Sequence, residues 1–313
     1  MRITIASISS AILDCLSNPG RLGEIHSVFD RAVNIKLDHV QRLIALTFSP
    51  AGRLPYALMV ADGQLSSFTA IGIKPGQIVT LSDERCLLME GVKAVFDYRE
   101  ASGWSPNMDR LSDPEDSTAF LELLTWASGF VFEQSNHAGL VPLLENHRQL
   151  FEGKLVMQDD PDIRIARMAL PAVMDLLTAL NRDDPTTLAN STARLLGYGI
   201  GGTPSGDDLL VGMLAALHRS SSPRANRLLK ILSSTLAEQL IDTVTSLLSL
   251  TVLRHALAGE FSEKVHDVTR QLMQPVDSTA LTASLDGLHR YGATSGSEMF
   301  LGICLGFELI YLS

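Results

Sequence analysis

Two kinds of hydrophobic patterning divide the chain. Up to about residue 112, apolar residues come in short runs, rich in β-branched and aromatic side chains and partly alternating: IHSVFDRAVNIKL, RLIALTF, YALMVA, QLSSFTAIGI, QIVTL and VKAVFDY. Gly, Pro, Asn and Asp punctuate them at SPAGRLP, VADGQ and IKPGQ, as hairpin connections require. Short strands at this spacing predict a small barrel or a sandwich.

The polar, proline-containing stretch Ser102–Ser117 reads as a linker, and beyond it the period becomes helical. AFLELLTWASGFVFEQ, IRIARMALPAVMDLLTALNR, PTTLANSTARLLG, LLVGMLAALHRS and the long ANRLLKILSSTLAEQLIDTVTSLLSLTVLRHALAG carry it. SEKVHDVTRQLMQ, STALTASLDGLHRYG and EMFLGICLGFELIYL follow. The expectation is an α+β protein: a β-rich N-terminal domain over 1–112 and a mainly α-helical C-terminal domain over 113–313. The helical part holds a weak internal repeat. GGTPSGDDLLVGMLAAL from Gly201 aligns with GATSGSEMFLGICLGFEL from Gly292 once the proline is treated as an insertion. Two helices are thus expected to start with one device.

Composition narrows the classes. With 46% apolar and 19% charged residues the chain is globular rather than disordered. A net charge of −10 argues against nucleic acid as a main partner, since phosphate backbones demand a basic surface. No run of about 18 uncharged apolar residues predicts a membrane span. MRITIASISSAILDCLS lacks a continuous apolar segment and does not read as a signal peptide. Cys15, Cys86 and Cys304 are too scattered for a disulfide framework or a CxxC metal pair, so the expected setting is the cytoplasm.

The candidate chemistry lies in GYGIGGTPSGDDLLVG, residues 197–212. A helix start leaves backbone N–H groups unpaired and favours negative charge, and a glycine-rich approach lets a phosphate or carboxylate come close. Thr203 and Ser205 would add hydroxyl donors. The competing reading is a plain helix start, with Ser205 or Asp207 as cap and Asp208 complementing the dipole. The four upstream glycines and the second copy of the device favour a site. Gly197, Gly199 and Gly202 satisfy GxGxxG, but the helical segment before them and the absence of a βαβ unit exclude a dinucleotide fold. Asp207 stands where a P-loop needs lysine.

Other patterns weigh less. Ser205 is not in a GxSxG elbow. Glu263 and His266 form a single ExxH, where a di-iron bundle needs two, and read as a solvated helix face. His255 and His289 read as helix-surface histidines. Adjacent aspartates diverge by about 100° on a helix and do not chelate one metal as a pair. An acidic loop that takes an anion needs a counter-charge, either Mg²⁺ or an arginine among Arg194, Arg254 and Arg290.

Residues 197–208 closely resemble the Gly-x-Gly-x-Gly-Leu-Thr-Pro-Ser-Gly-Asp-Asp signature of the family typified by the oxamate carbamoyltransferase subunit AllH, with Gly202 in place of the leucine. Thr245–Ser249, the downstream LRHALAGEF and the Thr294–Gly296 loop are similar too, although Ala293 stands where members often carry histidine. The resemblance implies phosphorolysis of oxalurate to oxamate and carbamoyl phosphate in allantoin breakdown, with AllF- and AllG-like partner subunits. On that footing Gly199, Gly201, Gly202, Thr203, Ser205 and Gly206 would hold the phosphate or substrate carboxylate. Asp207 and Asp208 would orient the loop, bind Mg²⁺ or steer the attacking nitrogen. Thr294, Ser295 and Gly296 would meet the other end of the substrate. The alternatives are a non-catalytic subunit whose loop docks a partner, and a metal-dependent hydrolase of small amides.

Overall fold

The computed structural model describes residues 1–38, 40–48, 52–241 and 245–312. Two compact units result: Met1–Asn107 with Glu260–Glu263, and Met108–Gly259 with Lys264–Ser313.

Among the described residues the first unit is built on nine strands: β1 (Arg2–Ser9), β2 (Gly20–Val28), β3 (Ala32–Leu37), β4 (Leu43–Phe48), β5 (Ala57–Val60), β6 (Ile78–Leu81), β7 (Cys86–Met89), β8 (Val95–Asp97) and β9 (Ser102–Trp104). They run in the order β5-β4-β3-β2-β6-β7-β8-β1, and β1 pairs back onto β5, so eight strands close into a barrel. β9 continues along the second half of β1. Closure removes the exposed edges that an open sheet would carry. The β1–β8 and β4–β5 pairs are parallel, whereas β2–β3, β3–β4 and β6–β7 are antiparallel neighbours.

Strand β4 is buried at every position, which explains its unbroken apolar run. Where β2 bulges, a β-carbon on Gly23 would fall 2.0 Å from the Lys36 carbonyl oxygen, so only glycine fits. The barrel alternative of the sequence reading is therefore the one found. QLSSFTAIGI is not a strand: it is a loop with a 3₁₀ turn at Thr69–Ile71. Its apolar spacing serves to bury Phe68, which stacks on Phe48 at 4.4 Å. Strands β1, β7 and β9 are additions to the sequence reading.

The second unit holds α1 (Ser117–Gln134), α2 (His147–Glu152), α3 (Arg164–Arg182), α4 (Pro185–Leu195), α5 (Ser205–Arg219), α6 (Pro223–Gln239), α7 (Leu247–Leu257), α8 (Glu263–Met273), α9 (Ser278–His289) and α10 (Ser295–Tyr311). The long periodic stretch after residue 224 is two helices, because Ser246 caps a new start at α7. No described helix is long and apolar enough to cross a membrane.

Helices α5 and α10 form the centre. α10 is buried from Gly296 to Ile310, which matches its nearly all-apolar circumference. Their backbones touch. A β-carbon on Gly212 would lie 1.9 Å from the Met299 oxygen, and one on Gly302 would lie 2.0 Å from the Leu209 oxygen. The small residues in these helices thus set the distance between the two chains.

Candidate functional site

The site grows from two connections of the same design. After α4, the Tyr198 N–H donates to the Leu195 carbonyl, and the Gly206 N–H donates to the Tyr198 carbonyl, each at 2.9 Å. After α9, Tyr291 donates to Leu288 and Gly296 to Tyr291, again at 2.9 Å. Gly206 and Gly296 sit so close to the preceding helix that a β-carbon would meet the Leu195 oxygen at 2.1 Å and the Leu288 oxygen at 1.8 Å. Gly199 and Gly292 both take left-handed backbone beside the serine that opens the next helix. The structure therefore pairs Gly199, not Gly201, with Gly292: Leu-x-x-Tyr-Gly precedes both helix starts, and the first loop is the longer of the two.

Neither start uses a side-chain cap. Pro204 and Thr294 hold the cap positions without a capping hydrogen bond, so Ser205 and Asp207 do not play that part. At α5 the amides of Asp207 and Asp208 turn back to the Pro204 carbonyl, and at α10 that of Glu298 turns to the Thr294 carbonyl. Three acids stand in these two first turns instead, Asp207, Asp208 and Glu298, each no more than 1% exposed.

The three differ in what they touch. Asp207 Oδ1 accepts the Gly197 N–H at 2.9 Å, and Oδ2 accepts the hydroxyls of Ser249, at 2.6 Å, and Thr245. Burial raises its pKa, while those donors oppose the shift. Asp207 is thus a brace that ties the glycine loop to the start of α7. Ser246 adds a second tie, donating to the Gly202 carbonyl at 2.5 Å. This gives Thr245–Ser249 a part that sequence could quote but not explain.

Glu298 is also fully engaged. Oε1 accepts the backbone N–H of Leu140 at 3.0 Å, and Oε2 accepts the Thr294 hydroxyl at 3.0 Å. The connection between α1 and α2 lies directly on it: a β-carbon on Gly139 would sit 1.9 Å from Oε1 and 3.0 Å from the Ser205 hydroxyl. Asn136 anchors the same connection by donating to the Ala293 carbonyl at 3.3 Å.

Asp208 is different. The Ser295 and Thr203 hydroxyls favour its charged form, yet Oδ2 is buried without a hydrogen-bond partner. Burial first, then the charge of Glu298, push its pKa well above the ordinary 3.8, so the protonated form is favoured. The Thr203 and Ser295 hydroxyls meet at 2.9 Å beside it, which joins the two copies of the device.

The loop residues thus divide. Ser205, Thr203, Asp208, Ser295 and Thr294 converge with Glu298, whereas Gly201 and Gly202 lie exposed at the surface, with Ile200 79% exposed among them. Gly199, Gly206 and Gly296 shape the backbone. Arg194 and Arg290 are paired elsewhere, with Asp175 and Asp286. His255 is buried rather than on a helix surface, and His289 bonds the Ser297 hydroxyl at 3.0 Å.

Nor do the residues fit a protein-built Mg²⁺ cage. Both Asp207 oxygens are taken, and no cluster of three His, Cys, Asp or Glu suited to a metal occurs among the described residues. Glu298 was visible in sequence only as the acidic position of the repeat. Gly139 and Asn136 gave no signal, because their connection lies more than 150 residues upstream of α10.

Two family models match the chain. One, described as oxamate carbamoyltransferase subunit AllH, covers residues 195–307, which hold both copies of the device. The other, described as the AllH family N-terminal domain, covers residues 4–102 and so the barrel. No solved structure matches.

Proposed function

The chain belongs to the AllH family, whose description names a subunit of oxamate carbamoyltransferase, and on that premise we propose that it contributes a reaction site at the α5 and α10 starts. The reaction is phosphate-dependent cleavage of oxalurate to oxamate and carbamoyl phosphate, within allantoin breakdown and alongside AllF- and AllG-like subunits. A phosphate oxygen bonds to the ureido carbon, the bond from that carbon to the oxamate nitrogen breaks, and the departing nitrogen needs a proton.

Asp208 carries this reading: a buried carboxyl that favours its protonated form, with one oxygen facing no partner. Such a group supplies a proton to a leaving nitrogen and takes one back from the attacking phosphate. The hydroxyls of Thr203, Ser205 and Ser295 and the starts of two helices offer donors for charge on the carbonyl oxygen and the substrate carboxylate. Glycine at 199 and 206 lets the backbone approach closely.

The test is oxalurate breakdown in phosphate, by this chain alone and with the two partner subunits. Turnover is expected with the partners, reduced at least about 100-fold in Asp208→Asn, as loss of a general acid predicts. Undiminished turnover in that variant removes Asp208 from the chemistry. One observation favours a second reading, a subunit that docks a partner through the glycine loop: Ile200 is strongly exposed there. In that case Ile200→Ser abolishes assembly of the complex, while Asp208→Asn leaves turnover unchanged.

A further inference from the structure

The two copies of the loop-helix device place an acid at the same position, Asp208 after Ser205-Gly206 and Glu298 after Ser295-Gly296. Around them the frame repeats bond for bond, from the leucine carbonyl through the tyrosine amide to the glycine of the helix start. One copy is complete. Glu298 Oε1 receives the backbone amide N–H of Leu140, delivered by a connection held down at Asn136 and free of a side chain at Gly139. The other is not complete: Asp208 is 1% exposed, and its Oδ2 meets no donor. A buried carboxyl oxygen left without a donor costs free energy that a ligand can recover by supplying one.

We propose that Asp208 Oδ2 is the receptor for an amide N–H of the ligand, so that the site selects primary carboxamides and ureides in the way the Glu298 copy takes the Leu140 peptide group. The inference rests on the function proposed above and adds to it the group that is recognised and the atom that recognises it. The molecule supplies the comparison itself, because the satisfied copy shows which donor class fits the frame. A carboxyl in its protonated form adds a second point of contact, its O–H donating to the amide carbonyl while its other oxygen accepts the N–H. Asp207 cannot serve, since three donors already use its oxygens. Entry requires parting the Thr203–Ser295 hydroxyl contact, and both residues are half-buried.

Binding of oxamate and of pyruvate, its near-isostere with a methyl group in place of the NH₂, is measured calorimetrically on the full chain, with and without the partner subunits. Oxamate is expected to bind at least about tenfold more tightly, the scale of one hydrogen bond to a buried acid. Asp208→Ala should bring the two affinities together by weakening oxamate alone. Asn136→Ala, which loosens only the connection over the Glu298 copy, should leave the preference in place and controls for general loosening of the frame. Equal binding of the two ligands overturns the inference, as does a preference that survives Asp208→Ala, and both leave the proposed reaction standing. If oxalurate is turned over by the complex while oxamate gains nothing from this chain's Asp208, the amide is held elsewhere and the inference fails alone. If there is neither oxamate binding nor oxalurate turnover, the proposed function falls and the inference with it.

Discussion

At the start of α10 the buried acid is used up by its own chain: Glu298 spends one oxygen on the Leu140 amide and the other on the Thr294 hydroxyl. At the start of α5 the labour is split, with Asp207 bonded through both oxygens to the loop and to α7 and Asp208 keeping an oxygen without a partner. The frames match in their glycines, tyrosines and turn-back amides. A repeated scaffold can therefore be finished in one copy and left open in the other, and the open copy is where ligand chemistry fits. The aspartate pair follows from this, because Asp207 does the bracing in α5 and leaves Asp208 open, whereas α10 has Glu298 alone.

The comparison breaks most severely at the contact both copies share. Gly212→Val and Gly302→Val each force a side chain into a carbonyl of the facing helix, and each should cost more than about 4 kcal/mol in urea unfolding. If either is tolerated, the helices are not held at backbone contact. Next comes the contrast between the neighbouring aspartates. Asp207→Ala strands the Gly197 amide and two hydroxyls, and a loss of about 3 kcal/mol is expected. Asp208→Asn should stay within about 1 kcal/mol, since the folded chain already favours a neutral group there. Equal losses would erase the distinction between brace and open acid.

Stability against pH sharpens the same point. A carboxyl whose pKa is raised on folding holds its proton longer in the native state, so stability falls as pH rises from the ordinary 3.8 toward the raised value. Each such group contributes a slope of up to about 1.4 kcal/mol per pH unit in that window. Asp208→Asn should flatten the decline, and Asp207, raised less strongly, should account for part of what remains. An unchanged curve in Asp208→Asn would contradict the burial argument. The smallest effect lies at the far ends of the preceding helices, where Asp184 caps α4 and Asp277 caps α9. Replacing either with alanine should lower the melting temperature by only about 2–4 °C and by similar amounts, while leaving oxamate binding unchanged.

The sequence carried what is local. Alternation and turn residues disclosed a β-rich front, and the 3.6-residue period disclosed most of the helices. TPSGDD pointed to the start of α5. Barrel closure was out of reach, because it depends on β1 pairing with β5 and β8, across more than 50 and 90 residues. Phe68 misled for a similar reason: a loop that buries an aromatic against Phe48 has the apolar spacing of a strand. At the site, the acid and hydroxyl residues were readable from their repeat. The division between Asp207 and Asp208 was not, since it is made by Thr245 and Ser249 some forty residues on. Nor could the pattern foretell that the α1–α2 connection fills the second copy.

The glycine contact between α5 and α10 also works as a detent. With Met299 and Leu209 carbonyls seated where β-carbons would be, any slide or twist of one helix against the other brings a residue with a side chain into that seat. The pair can only shift as one piece. Motion that admits a ligand is thereby confined to the glycine connections above it, and whatever the ligand changes there reaches the rest of the helical unit as the movement of a single locked block.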